Sequence, residues 1–236
     1  MTRRRAILGI ASLGLLAFGG AAFFYRRPAA TALPAPAAPT ASVQPPAAAP
    51  APAQETAQAP AAPVLERFHS PIIGPASAPV TIVEFFDPAC EACRAFYPAV
   101  KEILRREPGK VRLVLRYAAF HDVSPEAVRI LEAARLQGKF EPVLAALLES
   151  QPSWASDGTS NIGVAWQIAA AAGLDVTKAR ADASSPSIDA VLAIDAADVE
   201  AARINGTPTF YVNGAPLQTL GAQELYDMVL SEIADG

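Results

Sequence analysis

The sequence predicts an α/β domain carrying an inserted helical subdomain. Three observations lead there. Apolar, β-favouring runs occur at residues 79–87, 111–120 and 206–214. A helical pattern links the first two runs, and a strand–helix–strand unit makes its strands parallel neighbours. Between the second and third runs, from about residue 124 to 203, the pattern is helical and alanine-rich. Strands on both sides of a helical block define an α/β domain with a helical insertion.

Before that domain the chain is of a different kind. Residues 6–25 (AILGIASLGLLAFGGAAFFY) carry no charge. About twenty such residues cross a hydrocarbon core as a helix. Arg3, Arg4 and Arg5 precede the segment and Arg26 and Arg27 follow it. The charge bias leans toward a cytoplasmic N-terminus and an exported remainder, anchored to the inner membrane and facing the periplasm. A cleaved signal is the rival reading, with small residues at Ala30-Thr31-Ala32; Thr2-Arg3-Arg4-Arg5 also faintly matches a twin-arginine signal. Residues 1–27 are thus read as anchor or signal. Residues 28–64, dominated by alanine and proline, cannot pack a core and are read as an extended tether or spacer. The ~170 residues from 65 to 236 suit a single domain.

Charge narrows the partners. The chain has 19 basic and 23 acidic side chains, and five of the basic ones flank the apolar segment. The domain itself is therefore more acidic than the net −4. Nucleic acid is excluded, because phosphate neutralisation needs clustered Lys and Arg.

Within the domain each element has a reason. In residues 79–87, Val80, Ile82, Val83, Phe85 and Phe86 form a nearly continuous apolar run, as in a strand covered on both faces. A helix follows Cys90 to about Arg106, with Phe96, Val100, Ile103 and Leu104 on one side and Pro98 expected to kink it. Residues 111–120 (VRLVLRYAAF) read as the second strand. Ser124-Pro125-Glu126 reads as an N-cap with proline at the first helical position. Breaks near Gly138, residues 152–159, Gly173 and residues 184–187 divide the block into four or five helices. Residues 206–214 (GTPTFYVNG) read as a strand ending in the hairpin turn Asn213-Gly214, with 218–220 as the returning strand. Residues 222–234 form a last helix with Leu225, Met228, Val229 and Ile233 inward.

The two cysteines are Cys90 and Cys93, separated by Glu91-Ala92. A secreted disulfide scaffold would use more cysteines, spread along the chain. Cys90 falls at a helix N-terminus, where free amides and the helix dipole stabilise a thiolate. Cys93, one turn on, can close a disulfide with it. This pattern is suited to thiol–disulfide exchange through a mixed disulfide on Cys90. Two other readings stand beside it. Zinc needs four ligands, and His69 and His121 would both have to serve. A structural disulfide would span too short a loop to constrain the unfolded chain much. Neither metal nor organic cofactor is expected. Trp154 and Trp166 read as core, and His121 as either near the reactive face or capping the loop before Ser124.

VEFFDPACEAC, the helical block and GTPTFYVNG together resemble the DsbA-like branch of the thioredoxin superfamily, over residues 80–235 and none of the tether. The resemblance implies a thioredoxin-like fold with an inserted α-helical subdomain. It implies that Cys90 is the exposed nucleophile and Cys93 the buried resolving thiol. It implies a cis peptide at Thr207-Pro208, with Thr207 offering backbone bonds to an extended peptide. It implies that Glu84, six residues before Cys90, is a buried acid moving protons to and from the buried cysteine. Partners implied are proteins with thiols or disulfides and a membrane redox partner, a quinone-linked oxidase or a reductant. No separate dimerisation domain is visible, so a monomer is expected. Strongly oxidising members carry Pro-His between the cysteines; here Glu91-Ala92 stands there. A carboxylate beside Cys90 should oppose a negative sulfur and move the potential toward the reducing end. The direction of electron flow stays open. A non-catalytic peptide-binding or chaperone module is the alternative function.

Overall fold

The computed structural model describes residues 64–156 and 159–236. The apolar segment at 6–25 and the Ala/Pro-rich stretch up to residue 63 lie outside the described residues. Among the described residues no helix is long and apolar enough to cross a membrane.

The elements run β1 (Ile72–Ile73), β2 (Val80–Phe86), α1 (Glu91–Arg106), β3 (Val111–Tyr117), then five helices: α2 (Ser124–Leu136), α3 (Phe140–Glu149), α4 (Ile162–Ala171), α5 (Val176–Ala183) and α6 (Pro186–Ala201). A 3₁₀ turn (Gln151–Ser153) and the two-residue strands β4 (Ala155–Ser156) and β5 (Thr159–Ser160) lie between α3 and α4. The chain closes with β6 (Thr209–Val212), β7 (Ala215–Pro216) and α7 (Ala222–Asp235). The main sheet has the order β1-β3-β2-β6-β7. β2 pairs parallel with β3, as the strand–helix–strand unit requires, and antiparallel with β6.

Alternation along β2 and β3 assigns the two faces of the sheet. Val80, Ile82 and Phe86 of β2, with Val111, Leu113, Leu115 and Tyr117 of β3, enter the large core formed with α1, α7 and the inserted helices. Val83, Phe85 and Val114 enter a smaller cluster with Val199, Ile204 and Tyr211. Side chains of a strand alternate between faces, so Glu84 lies on the same side as Ile82 and Phe86, the side that also holds Cys93. Trp154 and Trp166 are both buried in that core.

Three expectations are corrected. The second strand stops at Tyr117, because Phe120 and His121 turn back to donate their amides to Asp87. Ser124 is not an N-cap: Val123 holds that position in a helical conformation, and the Ser124 hydroxyl donates to the Asp87 carboxylate instead. The strand returning from the Asn213-Gly214 turn is Ala215–Pro216, directly after it, rather than 218–220. Both turn residues have positive φ, 45° for Asn213 and 89° for Gly214, which closes a two-residue hairpin. α1 runs through Pro98 as one 16-residue helix. On the far side of β3, Arg116 is fully buried and paired with Asp195 and Asp198 of α6, so this face is tied by charge as well as by apolar packing.

Candidate active site

The site lies where β2 ends and α1 begins. Phe86 is the last residue of β2, and residues 87–90 turn the chain into the helix. Cys90 is the N-cap of α1, with extended backbone (φ −75°, ψ 123°) and no side-chain cap. Its amide donates to the Asp87 carbonyl (3.1 Å), and its own carbonyl accepts the Arg94 amide (3.1 Å). Its sulfur therefore stands where the first amides of the helix have no partner within the helix.

Both cysteines are free thiols. Cys90 retains 9% of its surface and Cys93 1%, so attack from outside can reach only the first. Cys90 is lowered to about 5, chiefly because the Cys93 thiol donates a hydrogen bond to it. Thr207 and the backbone amides of Cys93 and Ala92 add to this, against desolvation. Cys93 is pushed far up by burial first, then by its bond to Cys90 and the nearby charge of Glu84. The two sulfurs thus divide the work: one is a thiolate at neutral pH, the other holds its proton.

Glu84 is 3% exposed and is raised to about 8 by burial, with the Cys90 charge adding to it. It is a carboxylic acid at neutral pH, coupled electrostatically to both cysteines. Glu91 is exposed and is absent from the interactions that set the Cys90 thiol. Its carboxylate stands in water, which mutes the opposition it offers to a negative Cys90 sulfur. Ala92 acts through its amide rather than its side chain.

Opposite the cysteines lies the Thr207-Pro208 peptide, which is cis. Pro208 is buried and Thr207 half-buried at the entry to β6. Cys90 Sγ lies 3.2 Å from the Thr207 carbonyl oxygen, to which the sulfur donates when it is protonated. Cys90, Cys93, Glu84, Thr207 and Pro208 therefore converge on one end of the sheet.

Two further residues hold this place. The Asp87 carboxylate, fully buried, accepts from the amides of Ala89, Phe120 and His121, from His121 Nδ1 and from the Ser124 hydroxyl. Gln151, in the 3₁₀ turn of the insertion, donates Nε2 to the carbonyls of Pro88 (2.9 Å) and Cys90 (3.0 Å). An aspartate three residues before the first cysteine was visible in the sequence; nothing local marks Gln151. His121 lies at the reactive end through Asp87, whereas His69 is buried against Asp195 (2.7 Å) on the other face. Among the described residues no group of three or more His, Cys, Asp or Glu side chains is arranged to hold a metal ion.

A Cys-x-x-Cys heading a helix, against a cis-proline, on a sheet with an inserted helical block, is the arrangement of a thioredoxin-like fold carrying extra helices. Residues 67–231 match the family model described as Thioredoxin, and the chain belongs to that family. It is similar to the structure of a thioredoxin-like oxidoreductase from Silicibacter pomeroyi DSS-3, at 29% identity and TM-score 0.62 over 72% of this chain and 95% of the other. It shares its fold with oxidised BdbD from Bacillus subtilis (22% identity, TM-score 0.63, 70% and 94% covered). It also shares it with the thiol-disulfide exchange protein α-DsbA2 from Wolbachia pipientis (18%, 0.59, 70% and 87%). Among curated proteins it is 33% identical over 147 residues to the Na(+)/H(+) antiporter NhaA of Herminiimonas arsenicoxydans, covering 62% of this chain and 23% of that one. The chain spans under a quarter of the length of the curated relatives it matches.

Proposed function

We propose that this protein exchanges disulfides with protein thiols outside the cytoplasm, tethered to the inner membrane through residues 6–25. The observation that carries the reading is the division between the two sulfurs: Cys90 at the helix head lowered to about 5, Cys93 behind it buried and protonated. A substrate thiolate attacks Cys90 Sγ of the Cys90–Cys93 disulfide. The S–S bond breaks, and Cys93 leaves with its electron pair and takes a proton from Glu84. A second substrate thiolate then attacks the substrate sulfur of the mixed disulfide and releases Cys90 as thiolate. Two electrons pass from the substrate dithiol to the protein pair.

Stabilising the Cys90 thiolate favours the reduced pair, so the disulfide is the more oxidising form and is handed on to substrates. The exposure of Glu91, which mutes its opposition to the thiolate, supports this reading over a potential at the reducing end. The substrate lies extended beside Thr207-Pro208, where backbone bonds give little sequence preference. A membrane redox partner reoxidises the pair.

Cys93→Ala leaves a mixed disulfide on Cys90 without an internal thiol to resolve it, so exported substrates accumulate as covalent adducts on that variant. Non-reducing gels of cells carrying it test this directly. Adducts lost in a Cys90→Ala, Cys93→Ala double variant support the exchange reading. Absence of adducts with Cys90 reduced and present would leave a peptide-binding module. Insulin reduction and scrambled-ribonuclease assays then assign the direction.

A further inference from the structure

The first residue after β2, Asp87, touches both cysteines. The Asp87 amide donates to Cys93 Sγ at 3.5 Å, and the Asp87 carbonyl accepts the Cys90 amide at 3.1 Å. One residue's main chain thus meets the buried sulfur on one side and the helix cap on the other. Its side chain is fully buried and ties down three separate stretches of chain. Oδ1 accepts from the Ala89 amide (2.8 Å) and from the Ser124 hydroxyl at the head of α2. Oδ2 accepts from the Phe120 amide (2.8 Å), the His121 amide (3.2 Å) and His121 Nδ1 (2.8 Å). A carboxylate offers about four lone-pair sites, so this one is saturated and cannot rotate without orphaning buried donors.

We propose that Asp87 is a positioning residue for the exchange reaction: its carboxylate fixes the turn that aims an amide at Cys93 Sγ, and so sets the balance between the dithiol and the disulfide. The proposal rests on the exchange chemistry above and adds to it a residue outside the cysteines, the acid and the cis-proline. An N–H donor is worth most to a thiolate, less to a thiol and least to a disulfide sulfur, because the strength follows the charge on the acceptor. The Asp87 amide therefore favours the reduced pair. It also helps Cys93 at the moment when it must carry negative charge, as the attacking group on a mixed disulfide or the leaving group from the internal one. A slackened turn loses both effects, with the same sign.

Asp87→Asn is the sharpest test. It is nearly isosteric and keeps one acceptor oxygen, but puts an NH₂ where two or three donors converge. The full chain is equilibrated in glutathione redox buffers, and the reduced fraction is read by thiol labelling. The equilibrium constant for reduction is expected to fall roughly threefold to tenfold, the scale of one lost hydrogen bond; tenfold corresponds to about 30 mV for a two-electron couple. The rate at which Cys93 resolves a preformed glutathione adduct on Cys90 should fall with it.

Ser124→Ala is the companion variant, since it removes one donor and leaves the Asp87 side chain itself unaltered. It should shift both quantities the same way by a smaller factor, and it decides the matter should Asp87→Asn not fold. Unchanged equilibrium constant and resolution rate in a folded variant, whatever its thermal stability, would show that Asp87 only braces the fold and overturn the proposal. The exchange reading fails separately, if the wild-type pair does not equilibrate with glutathione at all.

Discussion

Cys90 Sγ and the Thr207 carbonyl oxygen lie 3.2 Å apart, bridging the head of α1 and the cis-proline loop although 117 residues separate them. The protonated Cys90 thiol is thus held by the cis-proline loop, and its ionisation frees that carbonyl. The first prediction concerns this ionisation. Alkylation of Cys90 in the reduced protein should be nearly independent of pH from 8 down to about 6 and fall off around pH 5. In Cys93→Ala the largest stabilising hydrogen bond is gone, so the midpoint should move up toward the ordinary thiol value. Iodoacetamide rates across that range decide it, and a wild-type midpoint near 8.5 would sink the reading.

Glu84 and Cys90 impose opposite pH dependences on stability. Glu84 is raised from 4.5 to about 8, so its contribution is complete below about pH 4.5 and is lost as pH rises toward 8. Cys90 is lowered from 9.0 to about 5, so in the reduced form its contribution is present above about pH 9 and is lost as pH falls toward 5. The oxidised protein has no Cys90 titration, and burial of Glu84, the larger cause of its shift, persists there. Urea unfolding of oxidised protein should therefore show stability falling from pH 5 to pH 8, and Glu84→Gln should flatten that fall. In the wild type the stability gained on going from disulfide to dithiol should grow with pH over the same interval. A Glu84→Gln profile as steep as wild type would refute the assignment.

Gln151 holds the active-site turn from the insertion. Its Nε2 serves two buried carbonyls, those of Pro88 and Cys90. Gln151→Ala leaves those acceptors short of a donor at a cost of about 1–3 kcal/mol. Chemical denaturation measures this, and a loss below about 0.5 kcal/mol would mean that water or a shifted side chain replaces the amide.

How much of this was legible in the sequence follows the distance over which each residue finds its partners. The apolar alternation of β2, the helix starting at Cys90 and the turn at Asn213-Gly214 are local patterns, and all three appear where the sequence places them. The cis peptide at Thr207-Pro208 was legible only through family resemblance, because proline alone favours trans. Ser124-Pro125-Glu126 was misread because the cap is a local bargain, while the competing acceptor, Asp87, lies 37 residues earlier. Asp87 itself stood in plain view, yet its partners at 120–124 are brought to it only by the sheet. Gln151 lies 61 residues beyond Cys90 and carries no pattern at all. β1, two residues long, offers too few residues for any periodicity.

The buried charge cluster behind the sheet yields the last prediction. Asp195 accepts from Arg116 Nε (3.1 Å) and Nη2 (2.9 Å), from His69 Nε2 (2.7 Å) and from the Tyr117 amide (2.8 Å). Arg116 is wholly buried and Asp195 is 1% exposed. Asp195→Ala would strip the guanidinium of one of its two carboxylates, leaving Asp198, which Arg67 also claims. The Tyr117 amide and His69 would lose their acceptor in the same step. Removing one partner of a buried pair costs about 3–5 kcal/mol, because the remaining charge stays desolvated without compensation. The cluster lies on the side of β3 opposite the core that holds Cys93. The Cys90 alkylation midpoint should therefore stay where it is while the denaturation midpoint drops sharply. Paired measurements on one folded sample test both halves. A stability loss under about 1 kcal/mol would show the charges compensated from elsewhere, and a shifted thiol midpoint would show that the α6 face communicates with the sulfurs after all.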